Sequence, residues 1–524
     1  IDTPGYEPSS TANVTGPGSV LNSRNLVVDT GTLNIENQGR VNISETSYIG
    51  HDSSSIGVAT VTGAGSTWNS QQLFVGDEGL GTLNIENAGV ANVLQDTWVG
   101  VDDPASTINL NNGVFNTSGL LASPSNLRGT GTINAATAVS DMDLVFDSST
   151  GLRQQLILNT LPGQDVTLNL DASSPDNQGA LGAGYQGTGT LTIKDDLSIS
   201  SGAGIIGYGW AADGTVTVKG DGSTWKSDHL TVGHLGKGTL NIQDGGTVIT
   251  NQLVIGIWSS QTPSSTVNLA GGTLDLNGGS ITSEHTGSDF SFTGGELKDV
   301  SHISFAQTPS MDLTPFTQDG GTFSPGDPVG VTEILRGYAV NGGTVRIDMG
   351  GADNTTDQIM VLGGIDINPV GTTLDLNAVG DLKAGVYLLM QTQGYPLTGN
   401  FQTVVGLQRL GDGAQLIYGA QTLHLLLTGD FLFADLNQNG SVGIDDLNIV
   451  LDHWNQNVTP GDILAGDLNH DGFVGIDDLT AVLGQWNQGT PPAVESLASV
   501  PEPTCALCMM GLTGLSCRRT TRPA

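Results

Sequence analysis

Apolar and small polar residues alternate along this chain in five-residue bursts that return at nearly constant intervals. Gly31-Thr32-Leu33-Asn34-Ile35 recurs as Gly81-Thr82-Leu83-Asn84-Ile85, with weaker copies starting at Gly57, Ser106 and Gly131, at spacings of 26, 24, 25 and 25. A second run starts at Gly189, Gly214, Gly238 and Ser265, at spacings of 25, 24 and 27. All nine copies are apolar at their third and fifth positions, although Ala59 and Ala135 are only alanine. Period-two alternation predicts strands. The copy from Gly81 contains three such pieces, Thr82 to Ile85, Val90 to Val93 and Thr97 to Gly100. The third piece ends in an apolar–Gly pair at Ile49-Gly50, Val75-Gly76, Val99-Gly100, Val232-Gly233 and Ile255-Gly256. Three short strands and three turns in about 25 residues describe one rung of a parallel β-helix. A single rung cannot bury its apolar face alone, so neighbours must stack. Leu83 and Ile85 are then expected inside and Thr82 and Asn84 outside. Asn34, Thr60, Asn84, Asn109 and Asn134 are expected to form one outward polar ladder. Trp68 and Trp225 each end a Gly-Ser-Thr-Trp run at the same rung position. That regularity fits a packing residue better than a sugar-stacking platform.

The rhythm loosens from Asp141 to Thr188, where Asp165 to Leu170 reads as an irregular rung, and the period is lost after Gly294. Strand patterns continue as Gly320-Gly321-Thr322-Phe323-Ser324-Pro325-Gly326, Gly342-Gly343-Thr344-Val345, Asp357-Gln358-Ile359-Met360-Val361 and Thr373-Leu374-Asp375-Leu376. This order resembles the glycine-rich strand repeats of autotransporter passenger regions and related bacterial surface proteins, over roughly residues 31–430. The resemblance implies a fold and no particular activity. The expected fold is mostly β: a parallel β-helix (solenoid) followed by a small α-helical domain of paired EF-hand-like loops. The expected layout is an N-terminal segment or cap at 1–30, solenoid repeats at 31–300 and an irregular β region continuing the solenoid at 301–430. A calcium-binding domain at 431–490, a linker at 491–499 and a tail at 500–524 complete it.

The clearest chemical pattern lies in that fourth segment. Asp435-Leu436-Asn437-Gln438-Asn439-Gly440-Ser441-Val442-Gly443-Ile444-Asp445-Asp446 has the form of a twelve-residue EF-hand-type loop, and the run from Asp467 to Asp478 repeats it 32 residues later. Calcium takes six to eight oxygens. Side-chain oxygens at positions 1, 3 and 5 come from Asp435, Asn437 and Asn439, then from Asp467, Asn469 and Asp471. Gly440 and Gly472 make the sharp turn at position 6, and Ser441 and Phe473 offer main-chain carbonyls at position 7. Asp446 and Asp478 close the loops at position 12. Two calcium ions are the expected cofactors. Leu447, Val450, Leu451 and Trp454, and again Leu479, Val482, Leu483 and Trp486, have the i, i+3, i+4, i+7 spacing of one helix face after each loop. This duplicated loop–helix unit resembles a type I dockerin over residues 435–488. The resemblance implies a cohesin-like partner. Positions 10 and 11, which often recognise the partner in scaffold-bound dockerins, are Ile444-Asp445 and Ile476-Asp477 here. The unit therefore reads either as a docking module or as a calcium-stiffened spacer.

Composition narrows the function. Gly is 76 of 524 residues, charged residues are 13%, and the net charge is −36. Such an acidic chain repels phosphate backbones, which argues against nucleic-acid partners. The three cysteines are Cys505, Cys508 and Cys517, so a body without thiols precedes them and suits an oxidising compartment. The chain begins Ile1-Asp2-Thr3-Pro4 without Met, and a removed or omitted leader is expected. Near the other end, Val500-Pro501-Glu502-Pro503-Thr504 precedes an apolar stretch from Cys505 to Leu515 and then Arg518-Arg519. This order resembles a PEP-CTERM sorting signal, which implies an exosortase-type processing enzyme and export to the cell surface or beyond. As a helix, Cys505 to Cys517 would extend about 20 Å, short of a hydrocarbon core of about 30 Å, so membrane contact is expected only through this transient tail.

No catalytic residue is assigned. β-Helices host polysaccharide lyases and hydrolases, and dockerins ride on glycosidases, so carboxylates deserve weighing. Asp52, Asp77, Glu78, Asp102 and Asp103 follow the third strand of three consecutive rungs, but their offsets from the preceding Gly vary. Acidic turns account for them, and His51 reads as an ordinary turn residue. The expectation is a non-enzymatic cell-surface or matrix protein. The alternative is a polysaccharide-binding or polysaccharide-degrading β-helix, with an envelope polysaccharide as its partner.

Overall fold

The computed structural model describes residues 10–257, 264–283, 287–305, 315–350, 355–411, 413–459, 462–469 and 471–490. The chain divides between Phe431 and Leu432 into two compact units.

The first unit is a β-solenoid of about 14 turns. One continuous hydrogen-bonded network joins 35 of its strands. Stacking starts inside the segment expected to be a cap. Ser10–Thr15, Val20–Ser23 and Leu26–Val28 pair in parallel with Gly31–Glu36, Arg40–Ile43 and Thr46–Ile49. Rung then follows rung, with Gly31 over Gly57 and Gly57 over Gly81. Leu33, Ile35, Leu83 and Ile85 are fully buried, as the alternation requires. Trp68 aligns with Val41 and Ala91, and Trp225 with Ile199 and Val248. Both indoles are interior, and the Trp225 Nε1–H donates to Ser201 Oγ at 3.0 Å. Room for Trp225 is made by Gly204, where a Cβ would come within 2.8 Å of the ring.

The corners explain the glycines. Gly50 has φ +72°, and a Cβ there would lie 2.5 Å from the Leu80 carbonyl oxygen, so the apolar–Gly pair marks a left-handed turn beneath the next rung. At the first corner the left-handed residues vary from rung to rung, with Gly63 and Gly65 in one rung but other residues in its neighbours. Asn37 and Gln38, and again Asn87 and Ala88, carry the positive φ. Elsewhere the corners close without a turn. Thr107–Leu121, Thr266–Ser283 and Asp289–Phe305 each run unbroken round a rung. Local register shifts replace the missing turn residues, as between Asn111 and Val114.

Those shifts correct the polar ladder. Asn109 Nδ2 donates to Asn84 Oδ1 at 3.0 Å, and Asn84 to Thr60 Oγ1 at 3.3 Å, as expected for one column. Asn134 belongs to a different column. The copy starting at Gly131 stacks on the second face, where Asn134 pairs with Asn116 and not with Asn109. The extended strand Thr107–Leu121 brings that face forward by part of a rung. The second column is the longer one. Asn42 donates to Asn22 at 2.8 Å, Asn69 to Asn42 at 2.9 Å and Asn92 to Asn69 at 2.8 Å. Asn116, Asn134 and Asn169 continue the relay, each at 2.7 Å.

Between 141 and 188 the rhythm loosens because a hairpin is inserted. Arg153–Leu158 runs antiparallel to Asp165–Asp171, which itself stacks in parallel on Thr130–Ala135. The solenoid persists through the region where the sequence period is lost. Val345 stacks on Phe323, Leu374 on Val345 and Val404 on Leu374. A separate four-stranded parallel sheet forms from Phe316–Gln318, Gly337–Val340, Gly364–Ile367 and Leu397–Gly399. Aromatic rings replace aliphatic columns here, with Phe316 5.4 Å from Tyr338 and 5.8 Å from Phe323. Antiparallel pairing of Thr422–Leu427 with Gly385–Thr392 and Gln415–Tyr418 ends the parallel stack.

Two buried carboxyls tie this part together. Asp357 is fully buried and accepts from Gly330 N at 2.6 Å and Asp348 N at 2.8 Å. Burial pushes its carboxyl from the ordinary 3.8 up to about 7, against the pull of those amides. Burial likewise raises Asp348 to about 6, although Asn377 donates to it at 2.6 Å. Both acids hold protons in the folded state that the unfolded chain would release. Stability is therefore greatest below about pH 4 for these groups and falls as pH rises towards 7. Thermal unfolding followed from pH 4.5 to 8 should show that decline, with a shallower slope for Asp357→Asn. An unchanged slope would remove Asp357 as its source.

The second unit holds two short helices, α1 (Ile444–Asp452) and α2 (Ile476–Gly484). Its core gathers Leu436, Val442, Val450, Leu468, Val474 and Val482. Each loop is tied to the segment after the other loop's helix. Val442 exchanges main-chain hydrogen bonds with Gln488 and Asn487, while Asn455 N donates to Val474 O at 2.8 Å. The helix stripes are only partly interior. Val450 and Val482 are buried, but Leu451 and Leu483 are 46% and 51% exposed. Trp454 and Trp486 are also exposed, as are Ile444 and Ile476. Helices of nine residues offer one turn's worth of inward positions, and the loop residues Val442 and Val474 supply the rest.

Candidate functional site

The two loops place their oxygens in matching positions. In the first, Asp435 accepts from Asn439 N at 3.0 Å and Gly440 N at 2.7 Å, and Asn437 Oδ1 also accepts from Asn439 N at 3.0 Å. Asn439 Oδ1 accepts from Ser441 N at 2.9 Å, and Asp446 from Asn437 N at 3.1 Å and Gly443 N at 2.8 Å. In the second, Asp467 accepts from Gly472 N at 3.0 Å and Asp471 from Phe473 N at 2.7 Å. Asn469 Oδ1 accepts from Asp471 N at 3.1 Å. Asp478 accepts from Leu468 N at 2.7 Å, Asn469 N at 3.1 Å and Gly475 N at 2.8 Å. Gly440 and Gly472 have φ +86° and +81°, the turn expected of position 6. Asp446, Asp467 and Asp478 are fully buried. Burial raises the Asp435 carboxyl above its ordinary range, while the Gly440 and Asn439 amides pull it down.

The charge around these carboxylates is one-sided. Residues 431–490 contain nine aspartates and no lysine or arginine. Buried charges are normally paired or coordinate a metal. Among the described residues, no three or more His, Cys, Asp or Glu side chains form a metal-binding group by themselves. The loops' oxygen sets mix carboxylates with amide side chains and main-chain carbonyls, the chemistry that suits a hard cation. The residues fit calcium in kind and in order.

On the solenoid, the turn acids fall into two columns. Glu78 N donates to His51 O and Asp102 N to Asp77 O, which aligns Asp52, Glu78 and Asp102 on successive rungs. Asp77 lies one column over, in line with His51 and Val101, as its different offset from the preceding glycine requires. Asp77 Oδ2 meets His51 Nδ1 at 2.8 Å. Asp29 accepts from His51 N at 2.8 Å and Asp52 N at 2.9 Å. Burial opposes ionisation of Asp29, but those amides and the Ser55 hydroxyl hold it below its ordinary range. Asp141 accepts from Tyr185 N, Gln186 N and Gly187 N at 2.7–3.0 Å, and Ser123 Oγ donates to its other oxygen.

Sequence reasoning missed an outward aromatic column. Tyr48 stacks on Phe74 at 5.0 Å and 14°, and Phe74 on Trp98 at 4.5 Å and 3°. Leu121 and Val139 follow in the same line. The signal was present in Tyr48-Ile49-Gly50, Phe74-Val75-Gly76 and Trp98-Val99-Gly100, where an aromatic precedes each apolar–Gly pair. Tyr48 and Trp98 cover the two faces of Phe74, so this column stiffens the wall. A second column, Tyr185–Tyr208–His234, stacks at 5.1 and 4.9 Å. Burial, then the Asp77 and Asp102 carboxylates, push the Tyr208 hydroxyl up to about 12.

Neither family models, nor curated proteins, nor solved structures match this chain.

Proposed function

We propose that this chain is a non-enzymatic exported surface or matrix protein. Its solenoid is an adhesive wall, and its C-terminal unit is a calcium-stabilised, dockerin-like module. The observation that carries the reading is the use made of the turn acids. Asp29 and Asp141 are spent on main-chain amides and Asp77 on His51, which ties successive rungs together. Catalytic carboxylates work as a pair with separated roles, and these have structural ones. The wall itself is lined by neutral amides and hydroxyls, which suit weak multivalent contact.

Calcium would be held by Asp435, Asn437, Asn439, Ser441 and Asp446, and by Asp467, Asn469, Asp471, Phe473 and Asp478. Once bound it neutralises the buried carboxylates and fixes the loops. The exposed pairs Ile444/Ile476, Leu451/Leu483 and Trp454/Trp486 support docking to a cohesin-like partner over a passive spacer.

The runner-up is a polysaccharide-degrading solenoid. Its support is the row Asp52, Glu78 and Asp102, one rung apart at about 4.8 Å, near the separation of a retaining pair. A reducing-end assay decides between them. No release is expected from common polysaccharides, and alanine at Asp52, Glu78 or Asp102 should leave glycan retention unchanged. Hydrolysis abolished by one of these replacements would overturn the structural reading.

The PEP-CTERM-like tail and the linker lie outside the described residues. Among the described residues no helix is long and apolar enough to cross a membrane. The proposed processing predicts a mature surface form that ends near Thr504 and contains no cysteine. Intact-mass measurement of envelope-released protein checks this, and a mature chain still ending at Ala524 would refute it.

A further inference from the structure

We infer that the groove beside the second asparagine column binds a neutral, linear, equatorially linked glycan laid along the solenoid axis. This rests on the reading of the solenoid as an adhesive wall and names what adheres. The groove holds about 720 Å³ and runs past Asn22, Asn42, Asn69 and Asn92, with Ser44 and Leu94 at its corner. That size lies in the range of small-ligand sites.

Its hydrogen-bonding pattern is periodic. A side-chain amide has two donors and two acceptor lone pairs. Within the relay, Asn42 and Asn69 each donate one hydrogen to the rung below and accept one from the rung above. Each half-exposed amide thus keeps one donor and one lone pair for a ligand. The relay repeats at the rung spacing of about 4.8 Å, so four rungs span about 14 Å. An extended peptide advances about 3.3 Å per residue and falls out of step with that repeat. A pyranose in an equatorially linked chain advances by nearly one rung and brings hydroxyls that both donate and accept. Leu94, 75% exposed, supplies an apolar edge for the sugar's C–H face.

Charge selects among glycans. No charged side chain lines the groove, and Arg24 nearby in sequence is paired with Glu45 at 2.6 Å. A chain of net charge −36 repels uronic-acid polymers and a second copy of itself.

The test is titration calorimetry on the full chain, using β-1,4-linked glucose oligomers of increasing length and a uronic-acid oligomer for comparison. Affinity should rise with length up to about four units, one per rung, and then level off, with no heat from the uronate. Ser44 is exposed and outside the relay, so Ser44→Trp fills the groove without disturbing the stack. It should weaken binding roughly tenfold or more. Asn69→Asp, which removes a donor from the relay, should do the same, with circular dichroism confirming the fold. Binding that survives Ser44→Trp, or ignores length, overturns the groove and leaves the adhesive wall standing. Absence of heat from the glucose oligomers and the uronic-acid oligomer alike overturns both.

Discussion

Calcium added to metal-free protein should raise the unfolding temperature of the C-terminal unit steeply, and Asp467→Ala should remove most of that gain. Three buried carboxylates, Asp446, Asp467 and Asp478, sit in a segment without lysine or arginine. Main-chain amides of Gly472, Gly443 and Gly475 offset part of their negative charge, and a cation would offset more. A ligand at a thousand times its Kd stabilises the folded state by about 4 kcal/mol, a large fraction of what so small a unit can possess. The second loop carries three ligand carboxylates against two in the first, so it should bind more tightly. Asp435→Ala should therefore cost less than Asp467→Ala. Scanning calorimetry of the full chain reads this directly, because the solenoid transition should stay where it is. A C-terminal transition that ignores millimolar calcium would end the calcium reading.

Trp225→Ala should destabilise the solenoid by about 3–5 kcal/mol, the range for deleting a buried aromatic. The indole is fully buried between Ile199 and Val248, faces Gly204, and donates to Ser201. Removing it leaves a cavity one rung deep and an orphaned hydroxyl. Because each rung touches only its neighbours, the loss should appear as early melting of the middle rungs and not as uniform weakening. Hydrogen exchange across residues 198–255 would localise it. If glycan binding fell while stability and exchange stayed as in the parent, Trp225 would be a sugar platform after all.

The alternation made the solenoid legible, since a strand with one buried face must write its period into the chain. Leu33, Ile35, Leu83 and Ile85 are interior as that period demands. Register was harder to read. The copy at Gly131 matches the repeat in residues yet stacks one face over, because Thr107–Leu121 rounds its corner without a turn. Local sequence carries no mark of that shift. Continuation past Gly294 was legible only as strands, since the rungs there vary in length and change to an aromatic core around Phe316 and Tyr338. In the loops, the left-handed turns at Gly440 and Gly472 were readable because that position has one geometric job. Exposure of Leu451 and Trp454 was not, because helical spacing says which residues share a face and not whether anything covers it. The Tyr48–Phe74–Trp98 column escaped notice because it lies outward, where polar residues were expected.

The pairing between rungs also sets how the molecule meets a pull. Its main-chain hydrogen bonds point along the stacking axis, from Gly31 to Gly57 to Gly81. Tension applied at the first rung therefore opens these bonds one after another, as in peeling tape, and never loads a whole row in shear. Each rung let go frees about 25 residues, or about 80–90 Å of extended chain. A chain built this way yields one rung at a time and lengthens more than about tenfold before its last turn opens. In the surface role proposed above, that behaviour is a shock absorber.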